Sequence, residues 1–164
     1  MGIQRQKGTV IEGVPGENYD VVDFPEAASQ SFKRGQWVVL SSGKATVVAS
    51  DATELAGLAL EDASGVTDAP VQIAVPRASC KFRSSVFHGT PGSAITAITQ
   101  PGSKFGLEVE NNKCYIGIDD TSNKAFLATR VVLPTGHAVG DQWGILEFEV
   151  LGGGVNQLSN GDET

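Results

Sequence analysis

Cysteine, histidine, methionine and the aromatics are all scarce in this chain of 164 residues, which carries 2 Cys, 2 His, 1 Met, 2 Trp, 2 Tyr and 7 Phe. Two cysteines, Cys80 and Cys114, without CxxC spacing argue against a disulfide framework or a zinc site, so both are expected as small buried apolar groups. The open alternative is a Cys80–Cys114 bridge formed after oxidation. Few aromatics leave no stacking platform for sugars or bases beyond Trp37, Tyr115 and Trp143. Basic residues are also short, 12 against 19 acidic, giving a net charge of -7. That balance removes the long-range phosphate attraction on which nucleic-acid binding rests, and nucleic acid is set aside as a partner. No apolar run approaches the roughly 20 residues of a membrane span, and Met1–Gly8 has no apolar stretch after its charges. A soluble chain made in a cytoplasm, with no membrane partner, is expected.

Helix signals are scarce too. Only Pro25-Glu26-Ala27-Ala28 and Ser50-Asp51-Ala52-Thr53-Glu54 have helix-start chemistry, each sufficient for a turn or two. What is plentiful is turn formers, with 20 Gly and 7 Pro, set among Val, Ile and Thr, which favour strands. The expected fold class is all-β, an antiparallel β-barrel or β-sandwich with an extended N-terminal arm and a flexible C-terminal tail. Three parts follow: an arm over 1–18, a β domain over 19–151, and an acidic tail over 152–164 that opens on Gly152-Gly153-Gly154. The arm has too few apolar groups for a core of its own. Its Thr9, Val10 and Ile11 would form a strand if another chain supplied an edge.

Hairpin register is legible in two places. With Asn111-Asn112 as a two-residue turn, Glu110 pairs with Lys113, Val109 with Cys114, Leu107 with Ile116 and Phe105 with Ile118, which leaves one face wholly apolar. With Ser42-Gly43 as the turn, Ser41 pairs with Lys44, Leu40 with Ala45, Val39 with Thr46, Val38 with Val47 and Trp37 with Val48. Further strands are expected over 55–60, 70–75, 80–87, 94–99, 126–132 and 143–151. In the last, Leu146, Phe148 and Val150 alternate with Glu147 and Glu149, which reads as a core face and a solvent face.

The search for reaction chemistry gives little. Ser84 or Ser93 with His88 and Asp141 would supply triad residue types, yet no nucleophile elbow frames either serine, and His88 and His137 read as loop residues that cap turns. Ser42-Gly43-Lys44-Ala45-Thr46 lacks the first glycine, the magnesium-binding hydroxyl and the helix of a phosphate loop. Leu133-Pro134-Thr135-Gly136 falls one residue short of a sortase signal. Glu61, Asp62 and Asp68, and Asp119, Asp120, Ser122 and Asn123, lack the ligand ladder of an EF-hand. No catalytic residue, metal ligand or cofactor is assigned.

Gly35, Val38, Leu40, Gly43, Asp51-Ala52-Thr53, Gly57–Leu60 and Val71–Val75 carry a pattern that resembles small tailed-phage structural proteins encoded near the major capsid protein. It covers Ser31 to Pro76. The resemblance implies a capsid decoration, or cement, protein: a β-rich virion protein, often a homotrimer, on the capsid exterior at local three-fold positions, with the major capsid protein as partner. It also implies an arm that orders on the capsid, with Ile3, Arg5, Lys7, Thr9, Val10 and Ile11 as the docking residues. On that reading, removal of 1–18 leaves a folded barrel that no longer binds heads. The alternative function is a carbohydrate- or ligand-binding β-sandwich for host attachment, which requires an exposed Trp37 or Trp143.

Overall fold

Two tight turns set the local pairing. Asn111 and Asn112 both lie at positive φ, 50° and 58°, and Ser42 and Gly43 do so at 52° and 77°. These left-handed pairs give the chain a twist that matches the strands on either side. The computed structural model describes residues 8–12, 19–77 and 80–151. Its strands in chain order are β1 (Val10–Glu12), β2 (Tyr19–Pro25), β3 (Trp37–Ser41), β4 (Lys44–Val47), β5 (Gly57–Ala59), β6 (Pro70–Pro76), β7 (Lys81–Phe87), β8 (Lys104–Glu110), β9 (Lys113–Gly117), β10 (Lys124–Val132) and β11 (Ile145–Val150). One 3-10 turn spans Pro91–Ser93.

The strands form two sheets, in the orders β2-β6-β5-β3-β4 and β1-β7-β11-β10-β8-β9, and the fold is all-β as the composition implies. Each sheet curls onto itself. In the first, Glu26 bridges Ala45, and the Ala27 N–H donates to the Ala45 carbonyl at 3.0 Å, tying the end of β2 to β4. In the second, a parallel pairing of Val86–Phe87 with Ile116–Gly117 joins β7 to β9. Closure of this kind leaves fewer open strand edges than a flat sheet would.

The core is shared between the sheets. Trp37, Leu58 and Ala74 from the first pack with Phe82, Phe126 and Phe148 from the second. Trp37 lies edge-on to Phe82 with centroids 4.7 Å apart and tilted to Phe126 at 5.6 Å. A smaller cluster, including Phe32, Val38, Ala59, Val71 and Ile73, fills the first sheet. Gly57 marks one place where backbones meet, because an added Cβ would overlap the Ala74 carbonyl and sit 2.6 Å from Ile73 Cγ2.

Both hairpin registers agree with the sequence reading through most of their length: Glu110↔Lys113 to Gly106↔Gly117, and Ser41↔Lys44 to Val38↔Val47. They end early for one reason. Phe105 turns from β9 to pair with Phe126, and Trp37 turns from β4 to pair with Leu58, each recruited by a third strand. Residues 94–99 do not form the expected strand. Gln100 replaces a ladder there: its Oε1 accepts from the Ala97 N–H at 2.9 Å and its Nε2 donates to the Ile95 carbonyl at 3.2 Å. Pro25 closes β2 in place of opening a helix, and Ala28 and Ser29 form a turn. The strand β2 itself, paired along all seven residues with β6, had not been distinguished within the β domain.

The arm also differs from expectation. The edge that β1 needs is supplied by its own chain: Val10, Ile11 and Glu12 pair antiparallel with Arg83, Phe82 and Lys81. The physical cause is the short β7–β9 contact. Below Val86 the two strands splay, and the arm fills the seam, with the Thr9 N–H and hydroxyl both donating to the Cys114 carbonyl at 2.9 Å. The segment is thus part of the second ring's wall, so a barrel lacking 1–18 would carry an open seam.

Candidate functional site

Each carboxylate and histidine considered in the sequence has a definite place. His88 follows β7, and its Nδ1 accepts from the Thr90 N–H at 2.9 Å, which assigns the ring proton to Nε2. The neighbouring Asp119 carboxylate is 3.6 Å from the same Nδ1 and takes the Gly89 N–H at 2.8 Å. His137 faces Asp141 at 3.2 Å, and Asp141 also accepts from the Ala138 N–H at 3.0 Å. Asp141 therefore sits with His137 and not with His88. Ser84 is buried on β7 and donates to the Ser85 carbonyl at 3.2 Å, while Ser93 lies exposed in the 3-10 turn. The residues of the triad reading are not brought together, and both imidazoles serve turns.

The acidic groups are tied likewise. Asp62 accepts from Lys33 Nζ at 3.1 Å and the Arg34 N–H at 2.9 Å, Glu61 accepts from the Gln72 N–H at 2.8 Å, and Asp68 pairs with Lys44 at 2.7 Å. Asp120 receives the Ser122 and Asn123 N–H groups at 2.9 and 3.1 Å. Burial raises its pKa, but those two donors, a hydrogen bond with Asp51 and the charge of Lys124 bring it below the usual value. Glu108 nearby goes the other way: burial pushes it up, with the charges of Asp51, Asp119 and Asp120 adding to that against a hydrogen bond from Ser50. Among the described residues no group of three or more His, Cys, Asp or Glu is placed to hold a metal ion.

Glu147 overturns the expectation of a solvent face on β11. It is 6% exposed, because the strands on either side each contribute an arginine at the register position opposite it, Arg83 and Arg130. Arg130 donates through Nε at 2.9 Å and Nη2 at 2.8 Å, Thr129 adds its hydroxyl at 3.1 Å, and Arg83 stands at 3.6 Å. Burial alone would raise the Glu147 pKa, and these hydrogen bonds and charges more than offset it, leaving the carboxyl below its usual range. Glu149, by contrast, pairs with Lys81 at the edge of the same face.

A second buried carboxyl group had no sequence signal. Glu26 is fully buried, and its carboxylate accepts the Ser64 N–H at 2.7 Å and the Gly65 N–H at 2.9 Å. The two cysteines are free and buried. Burial pushes the Cys80 thiol up to about 11, aided by Glu149, and the Cys114 thiol up to about 12 against the Trp37 backbone N–H that donates to its sulfur. Neither is a nucleophile at neutral pH.

Of the arm residues assigned to docking, Ile3, Arg5 and Lys7 lie outside the described residues. Thr9 is 3% exposed, and the backbones of Val10 and Ile11 belong to β1. Trp37 is in the core, which removes it as a glycan platform, and Trp143 is half-buried, with its backbone N–H donating to the Ala94 carbonyl at 2.8 Å.

What the sequence reading did not single out is three exposed aliphatic side chains on loops of the second ring. Ile98, 79% exposed, Leu133, 49%, and Val139 lie on two loops, 94–103 and 133–144. These loops are fixed to each other by the Ile95↔Gln142 bridge and by Thr96, which packs so closely over Gly144 that a Cβ there would lie 2.7 Å from its hydroxyl. Aliphatic residues out of strand period among Gly, Pro and Thr were the available signal. Compared with known family models, curated proteins and solved structures, the chain matches none of them.

Proposed function

We propose that this chain is a virion structural protein, a decoration protein that binds the outer surface of a tailed-phage head at local three-fold positions. There, as a homotrimer on the major capsid protein, it adds contact area that holds the shell against the packaged genome. The pattern over Ser31–Pro76 suggests the family. The observation that carries an assembly role is that three large aliphatic side chains, Ile98, Leu133 and Val139, are exposed on loops that are themselves cross-braced, so docking through them costs little ordering entropy. The arm is reassigned within this reading. Thr9, Val10 and Ile11 close the protein's own seam, and the docking part of the arm is Ile3, Arg5 and Lys7.

Co-sedimentation of the full chain with purified phage heads tests the proposal. The chain should pellet with heads, and Ile98→Asp with Leu133→Asp should leave it in the supernatant at unchanged Tm. A wild-type chain that stays in solution sinks the function. A double variant that still pellets sinks these loops as the contact face.

A further inference from the structure

A cavity of about 530 Å³ opens where the arm crosses between the sheets, lined by Gly8, Tyr19, Arg34, Leu58, Leu60 and Lys113. Its charged lining is all of one sign in a chain of net charge -7. Most lysines and arginines among the described residues face a carboxylate: Lys33, Lys44, Arg77, Lys81, Arg83 and Arg130 all do. Arg34 and Lys113 form no ion pair among the described residues, although Glu110 stands across the hairpin from Lys113, and they line the same cavity. Beside them are a leucine floor and the Tyr19 ring, which suits a ligand with aliphatic groups and carboxylates.

We infer that this cavity is a docking site for an acidic peptide segment, and that its occupant is residues 152–164 of the same chain. This assignment is independent of the decoration reading. Four stretches of the chain lie outside the described residues. Of these, 1–7 is basic, with Arg5 and Lys7, 78–79 is uncharged, and 13–18 is a six-residue connection with one carboxylate, Glu17. Only 152–164 combines two carboxylates, Asp162 and Glu163, with aliphatic Val155 and Leu158 and no basic residue. It starts beyond Leu151, which is fixed by its N–H to the Ala125 carbonyl at 2.9 Å. Eleven extended residues from there to Asp162 span roughly 36 Å. Leu151 lies against Ala125, the neighbouring Lys124 pairs with Gly106, Gly106 pairs with Gly117, and Lys113 is four residues along β9, so about three strand spacings and four residue rises, roughly 28 Å, separate the start of the segment from the cavity, which is within its reach on its own protomer.

Zero-length carbodiimide coupling on the full chain, mapped by peptide mass spectrometry, tests it. The Lys33–Asp62 pair, 3.1 Å apart, is the internal control. Lys113 should couple to Asp162 or Glu163, and the yield should fall several-fold in Arg34→Gln and in 1 M NaCl, because both weaken attraction at a partly exposed site. With the control pair coupled, a Lys113 that stays unlinked, or links only to Glu17, Glu108 or Glu110, overturns the site. In a mixture of light and nitrogen-15 chains, links should join segments of one label, and links between labels would overturn the assignment to the same protomer.

Discussion

The two rings are built from similar strands but are completed differently. The first, β2 to β6, uses one continuous stretch of chain, closes through Glu26 and Ala45, and fills itself with small aliphatic groups around Phe32 and Ile73. The second, β7 to β11, has an aromatic interior that also takes in Trp37 from the first ring, and part of its wall is the distant β1. One ring is closed by its neighbours in sequence. The other depends on residues some 70 positions away for its seam and on its partner ring for its core. Non-local closure of this kind couples the two rings, since neither the Trp37 contacts nor the arm can be lost from one alone.

That coupling is most sharply tested at Trp37. Trp37→Ala removes a fully buried ring packed on Phe82 and Phe126 and should cost about 4 kcal/mol. A single denaturant transition at lower midpoint is expected by both circular dichroism and fluorescence. Two separated transitions would show that the rings are independent units.

The buried carboxylates contrast the rings next. Glu147→Ala in the second ring removes the buried carboxylate that Arg83 and Arg130 share and should cost roughly 3 kcal/mol. Glu26→Ala in the first leaves two backbone N–H groups unpaired, with no cation stranded, and should cost about 2 kcal/mol. Glu147 also makes a prediction for pH. Because the Glu147 pKa is lowered in the folded state, its contribution is complete above the ordinary Glu value of about 4.5 and is lost as pH falls through the folded value. Urea midpoints of the wild type should therefore drop on acidification below about pH 4.5, and Glu147→Gln should flatten that drop. An unchanged slope would mean that other carboxylates govern acid unfolding.

The smallest effect is expected at the seam itself. Thr9→Val keeps the shape of the side chain and the backbone bond to Cys114 but loses the hydroxyl donor, which should cost about 1 kcal/mol. Faster amide exchange confined to β1 and to residues 81–83 would confirm the arm as a locally opening element. Uniform exchange across both rings would show that the seam opens only with global unfolding.

How much of this was legible follows from the range of each interaction. Turn chemistry acts over two residues, so Asn111-Asn112 and Ser42-Gly43 disclosed both hairpins and nearly all their pairs. The ladders' early ends were hidden, because Phe105 and Trp37 are claimed by strands far along the chain. Alternation in β11 correctly separated Phe148 from Glu147, yet gave the carboxylate to solvent, since the arginines that enclose it come from β7 and β10. Residues 94–99 look like a strand by composition, and Gln100 satisfies their backbone instead. The arm's polarity concealed its place because, the Thr9 hydroxyl aside, the bonds that place it are backbone ladder bonds, which leave no mark on side-chain pattern.

Composition and turn residues alone settled an all-β chain and its two tight hairpins, and favoured buried apolar cysteines over a bridge, because steric preference and hydrophobicity are carried by each residue wherever it lies. Which edge β1 fills, which cations enclose Glu147 and which two lysine or arginine side chains border one cavity were decided only when distant segments met. Those are properties of pairs, and a pair's energy exists only at the distance the fold imposes.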